Sequence, residues 1–302
     1  METTRRALLG GLSAPALGFG GLRLLAASPA RAQPVADGYG PLVPDPDRLL
    51  DLPRGFGYRI VSREGQPKDD GLVTPAAFDG MACFPITGHR DRVALVRNHE
   101  IWPNDTAGGA FGPSHDLLSR VPREKLFDFA PDGAPKLGGT TTMIWDLRAR
   151  RLVSSHLSLA GTCGNCAGGP TPWGSWLTCE ETLENRPPLV SRAHGFVFEV
   201  PSAGTGLADP VPLADMGRFV HEAAAVDPET GIVYLTEDRP DGLLYRFLPN
   251  ARGELHRGGR LQAPALADDR ERDLRNWPDY GSRFAGGRTA IVAGPSVSVR
   301  SI

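Results

Sequence analysis

Beyond its N-terminal segment, the chain carries no apolar period of helical length. Instead, short runs of β-forming residues recur between clusters of Gly, Pro, Asn and Asp. They are Arg92 to Val96, Thr140 to Leu147, Leu152 to Leu159, Trp173 to Thr178, Gly195 to Val200, Ile232 to Thr236 and Leu243 to Leu248. This spacing predicts an all-β fold. Gly (37) and Pro (28) together fill 65 of 302 positions, about 22% against roughly 12% in average usage, which leaves little room for long helices.

The runs also repeat. Val93 to Glu100, Gly174 to Glu181 and Gly231 to Asp238 share one plan, a β-rich strand that ends in acidic residues. A second strand follows each (Gly139 to Leu147, Gly195 to Val200, Gly242 to Leu248), and a further segment precedes each (Asp79 to Phe84, Asn165 to Thr171, His221 to Asp227). Three copies of a multi-strand unit predict the blades of a β-propeller. A two-sheet sandwich is the alternative, but it gives no reason for acids to recur at one strand end. The repeats lie 81 residues apart from Glu100 to Glu181 and 57 from Glu181 to Asp238, so long inter-strand loops are expected.

The first residues read as an export signal. Thr4-Arg5-Arg6-Ala7-Leu8-Leu9 sets two arginines before an apolar run, and Ala30-Arg31-Ala32 offers a cleavage site, the twin-arginine pattern. The run from Ala7 to Ala27 is 21 residues long, but five glycines, Pro15 and Arg23 make it a poor membrane span. No stable insertion is therefore expected after cleavage. The expected organisation is a signal at 1–32, an extended Pro- and Asp-rich lead-in at 33–56, blades over 57–285 and a divergent tail at 286–302. With 33 Lys+Arg against 35 Asp+Glu the net charge is -2, which gives no reason to expect a nucleic-acid partner. A hydrophobic content of 40% excludes disordered, collagen-like and polytopic membrane chains.

If equivalent strand ends meet at one mouth of the central channel, Glu100, Glu180, Glu181, Glu237 and Asp238 converge there. Carboxylates so crowded repel one another unless cations join them. Oxygen donors suit calcium or ferric iron, and a Cys166 thiolate beside them favours a transition metal in at least one position. Cys166 lies 14 residues before Glu180 and Glu222 lies 15 before Glu237, so the two occupy similar places in successive repeats. Cys163-Gly-Asn-Cys166 lacks the βαβ context of a redox motif, and in an oxidising compartment the four cysteines allow one or two disulfides. His221 reads as a structural histidine. Arg218 could grip a phosphate or pair with a blade carboxylate.

Arg97-Asn98-His99-Glu100, the stretch Asn165 to Glu181, Gly217 to Ala223 and Tyr234 to Asp238 resemble the signatures of PhoX-type alkaline phosphatases, in order from about residue 40 to about residue 280. The resemblance implies a monomeric, twin-arginine-exported β-propeller of the periplasm or exterior that binds ferric iron and calcium and hydrolyses phosphate esters. It implies that Cys166 and Glu222 bind iron, that Glu181 and Glu237 or Asp238 belong to the calcium shell, and that the metals act as Lewis acids on phosphate oxygens. Arg218 is then a candidate phosphate clamp and Glu100 a further metal residue. The family pattern carries a later Arg-x-Glu-Gly or Arg-Pro-Glu segment, whereas here the last glutamate is Glu271, and Gly281-Ser-Arg283-Phe284-Ala285 stands where that segment is expected. This predicts a propeller incomplete at its C-terminal end. The rival expectations are a non-catalytic metal-stabilised propeller and a propeller lactonase with a single calcium.

Overall fold

The computed structural model describes residues 38–265 together with 292–293. The expected signal, the Gly281–Ala285 stretch and all of the tail but Val292 and Ala293 lie outside the described residues. The described chain contains β-strands and short 3-10 turns and no α-helix. No helix among the described residues is long and apolar enough to cross a membrane.

The chain divides at Ile60/Val61. In the first unit, β1 (Leu42–Val43) pairs antiparallel with β2 (Leu52–Pro53), so part of the lead-in forms a small ribbon. Asp45 organises its turn, accepting the Leu49 amide at 2.8 Å and the Tyr58 hydroxyl at 2.8 Å.

The second unit holds three antiparallel sheets. The first is β3 (Phe78–Ile86), β4 (His89–His99), β5 (Gly138–Asp146) and β6 (Arg151–Thr162). The second is β7 (Asn165–Pro170), β8 (Ser175–Glu180) and β9 (Val197–Pro201). The third is β10 (His221–Val226), β11 (Val233–Glu237), β12 (Leu244–Pro249) and β13 (Gly259–Gln262). A last ribbon joins β14 (Pro264–Ala265) to β15 (Val292–Ala293). Each sheet contains one of the three sequence repeats, in the order expected, and each runs as an up-and-down meander. The architecture is that of a β-propeller, and these sheets are its blades.

Blade faces stack in succession. Along β8 the alternation of side chains sends Trp176 into a cluster with Phe84, Val96, Phe127 and Phe198, while Leu177 and Cys179 join Val233, Leu235 and Phe247 of the third sheet. A middle sheet covered on both faces explains why β8 is buried at every position. The first strands of the three sheets lie side by side, and glycine permits the approach. A Cβ on Gly80 would stand 2.8 Å from the Ala167 Cα, and one on Gly169 would meet the Ala224 carbonyl oxygen.

Asn98, fully buried, stitches the first two blades together. Its amide nitrogen donates to the carbonyls of Cys166 and Ala167, both at 2.8 Å, and its oxygen accepts from the Trp176 indole at 2.8 Å. Asn98→Ala strands two carbonyls and an N–H in the interior and is expected to lower stability by about 3 kcal/mol. Urea unfolding checks this, and an unshifted midpoint would remove Asn98 from the inter-blade joint.

Candidate metal centre

Each blade opens with the same irregularity. Phe78 faces His99, and the next pair is Met81 with Arg97. Asn165 faces Glu180, followed by Gly168 with Thr178, and His221 faces Glu237, followed by Ala224 with Leu235. Two residues thus oppose one on the neighbouring strand, which defines a β-bulge, a device that re-aims a side chain. The first bulge residue is Asp79, Cys166 or Glu222. A second constant closes each blade. The residue just beyond the middle strand donates its N–H to the residue just before the first strand: Glu100 to Ala77 at 2.8 Å, Glu181 to Gly164 at 2.8 Å and Asp238 to Val220 at 3.0 Å.

These six side chains gather at one end of the blades. Asp79, Glu100 and Cys166 bring ligand atoms within 4.8 Å of one another, and so do Cys166, Glu181 and Glu222. The Cys166 Sγ lies 3.6 Å from the Glu222 Oε1, and Glu181 hydrogen-bonds with Asp238 and Glu100. No ion pair joins any of the six to a lysine, arginine or histidine among the described residues. Burial pushes the Glu181 carboxyl up to about 8, with Asp238, Glu222 and Glu100 adding to the effect. Burial followed by the Asp238 charge raises Glu222, and burial raises Glu100 against its hydrogen bond from Glu181. The Cys166 thiol is driven upward by burial and by the charges of Glu222, Asp79, Glu181 and Glu100. Glu100, Glu181, Glu222 and Cys166 thus resist ionisation until a cation neutralises them. The sulfur and oxygens of the group fit a transition metal beside a hard ion.

Two acids expected at the mouth are elsewhere. Successive strand residues face opposite ways, so only the second of each acidic pair enters the group. Glu237 turns back into its own blade, where it accepts the Leu243 amide at 3.2 Å and the Tyr245 hydroxyl at 3.1 Å. Glu180 is fully buried, taking the Cys163 amide at 3.0 Å, the Gly195 amide at 2.8 Å and the His194 Nδ1 at 2.6 Å. Arg218 gives its Nε to the His194 carbonyl at 2.7 Å and its Nη2 to the Leu183 carbonyl at 2.6 Å, so those donors brace the loop behind Glu181. All four cysteines are free, and the expected disulfides do not form. His221 is a core histidine as expected, tilted by 31° against Phe219 with ring centroids 3.6 Å apart.

Sequence reasoning missed Asp79. Its equivalence to Cys166 and Glu222 is hidden because β3 and β4 are 9 and 11 residues long, which stretches its distance from the strand-end acid. It also missed His194, held between Glu180 and Asp128, whose Oδ2 lies 3.2 Å from the Nε2. Burial alone would lower the His194 pKa, but Glu180, Asp128 and Cys163 outweigh it and push it up to about 12. A cavity of about 950 Å3 lies apart from the cluster, between Phe127, Asp128, Arg192 and Val211. Its buried carboxylate, Asp128, is already engaged by His194, Ser191 and Arg192, so the convergent chemistry is at the acidic mouth.

A sequence model of the family described as alkaline phosphatase PhoX matches residues 37–288. The solved structure of Pseudomonas fluorescens PhoX in complex with vanadate, a transition state analogue, is similar with a TM-score of 0.51 and 18% identity, over 71% of this chain and 52% of that one. At that identity the likeness is one of fold, and the chain spans about half the length of the structure it matches. No curated protein matches.

With cations removed, the folded protein holds protons on this cluster that the unfolded chain releases. The associated stability is complete below about pH 4.5, the ordinary value for Glu181, and is lost as the pH rises through about 8. Urea midpoints measured in chelator across that range are expected to fall with rising pH, and Glu181→Gln is expected to flatten the fall. A midpoint independent of pH would contradict the crowding of these carboxyls.

Proposed function

The chain belongs to the PhoX alkaline phosphatase family, matched over residues 37–288, and from that premise we propose that it is an exported, metal-dependent phosphoesterase. The observation that carries the reading is the group formed by one thiol and five carboxylates, Cys166 with Asp79, Glu100, Glu181, Glu222 and Asp238. Cys166 and Glu222, 3.6 Å apart, would hold ferric iron, the ion matched to a mixed sulfur and oxygen set. Glu181, Glu100, Asp79 and Asp238 would supply oxygens for calcium. Asp238 takes this place in preference to Glu237, which is spent on Tyr245. When bound, such ions polarise the oxygens of a phosphate ester and offset the charge of in-line displacement.

The residues around the ions have separate tasks. The Asn98 amide grips the Cys166 and Ala167 carbonyls and so sets where the thiol points. Glu180 ties the Cys163 amide to the Gly195 amide, which anchors both sides of the segment bearing Cys166 and Glu181. Arg218 braces the same loop from outside. The twin-arginine start agrees with a chain folded around its metals before export by the twin-arginine translocase, cleaved after the 1–32 signal, and working as a monomer in the periplasm or outside the cell on small phosphate esters.

A second reading, a metal-stabilised propeller without catalysis, is favoured by Arg218, whose Nε and Nη2 serve backbone carbonyls in place of a phosphate. One experiment separates the two. Folded protein loaded with iron and calcium is assayed with phosphomonoesters, and its metal content is measured. Hydrolysis is expected, with Glu222→Gln and Cys166→Ser each lowering kcat/KM by about 100-fold or more. Tightly bound metal with no hydrolysis supports the second reading, and the failure to bind iron or calcium overturns both.

A further inference from the structure

One large aromatic ring stands at the rim of the acidic mouth and belongs to no core. Trp102, between the buried Ile101 and Pro103, stands outside the cluster that Ile101 joins with Leu72 and Phe111. Its six-membered ring lies against Gly164, 3.5 and 3.6 Å from where a Cβ would stand, and Gly164 has φ +57. Gly164 is two residues before Cys166. Its N–H donates to the Ile101 carbonyl at 2.8 Å, and its own carbonyl accepts the Glu181 amide at 2.8 Å. The ring is thus seated between the backbones that present Glu100, Cys166 and Glu181.

Its backbone is tethered. The Trp102 amide donates to the Asp105 carboxylate at 2.9 Å, the Asp105 amide returns to the Trp102 carbonyl at 3.1 Å, and the buried Lys136 ammonium donates to the Pro103 carbonyl at 2.9 Å. The ring nevertheless remains 39% exposed. An indole on a tethered backbone, lying against Gly164 and open to solvent, offers a flat face on which a planar group can stack.

We propose that Trp102 is a platform for the leaving group of the ester, which selects phosphate esters of flat aromatic alcohols and of nucleosides over those of small alkyl alcohols. The inference rests on the phosphoesterase reading and names its substrate class. Aromatic stacking of this kind changes affinity by roughly 5- to 100-fold. The test is calorimetric titration of the iron- and calcium-loaded full chain with inorganic phosphate, methyl phosphate, phenyl phosphate and adenosine 5′-monophosphate. The native protein is expected to bind the last two at least about 5-fold more tightly than methyl phosphate. W102A is expected to erase that difference while leaving inorganic phosphate binding unchanged, and W102F to retain part of it. W102L keeps apolar bulk on Gly164 without a flat ring and serves in place of W102A if the smaller side chain impairs folding. Equal binding of methyl and phenyl phosphate by the native protein overturns the platform while leaving the phosphoesterase reading intact. Equal weakening of all four ligands in W102A and W102L also overturns it, since that marks a structural role. Failure of the native protein to bind any of the four ligands overturns the phosphoesterase reading, and the platform with it.

Discussion

The hydrogen bond that closes each blade, from the N–H just past the middle strand to the carbonyl just before the first strand, governs the geometry of everything at the mouth. In the three blades it joins Glu100 to Ala77, Glu181 to Gly164 and Asp238 to Val220. The same bulge follows that bond in each blade and places Asp79, Cys166 and Glu222 at equivalent positions. Two sets of three groups, one from bulges and one from strand ends, come from a single backbone pattern used three times. A one-residue slip in the second or third blade would exchange Glu181 for Glu180, or Asp238 for Glu237, and send the wrong carboxylate inward.

The buried polar groups around that mouth are committed to one another and leave its carboxyls to be neutralised by protons or cations. Three fully buried histidines show that burial holds the imidazole neutral unless charged partners outweigh it. His99 gives its Nδ1 proton to the Ala76 carbonyl and accepts the Thr141 hydroxyl on Nε2, and burial lowers its pKa to about 3. His221 is lowered to about 3 in the same way. His194 lies instead between two carboxylates, 2.6 Å from Glu180 and 3.2 Å from Asp128, and they push its pKa up to about 12. Removing one partner of such a buried set leaves an uncompensated charge, so Glu180, His194 and Asp128 stand or fall together.

Much of the fold was legible because propeller blades are built from local meanders. The three acid-ended runs, the strands that follow them and the segments that precede them are the central, third and first strands of the three sheets. The fourth strands, β6 and β13, were less visible as repeat members because the second sheet has no counterpart among the described residues. Within the site, Cys166, Glu181, Glu222 and Glu100 stood out through their repeated positions, and Arg218 through its motif. The choice between Glu237 and Asp238 was not legible, since adjacent residues differ only in which way the strand faces. Asp79 was masked by the unequal strand lengths of the first blade, and Trp102 by its place in an irregular segment.

By itself, the sequence determined the class of fold, the number of repeats visible within it and the chemical character of the site, because these depend on period, turn residues and side-chain type, all of which are local. Only the tertiary structure decided which carboxylates meet, that Glu180 is locked to His194, that Arg218 braces carbonyls, and that the cysteines stay apart. Those outcomes depend on register, bulges and inter-blade contacts between residues as distant as Asn98 and Cys166. Side-chain direction is set by long-range hydrogen bonds, and a linear pattern does not contain them.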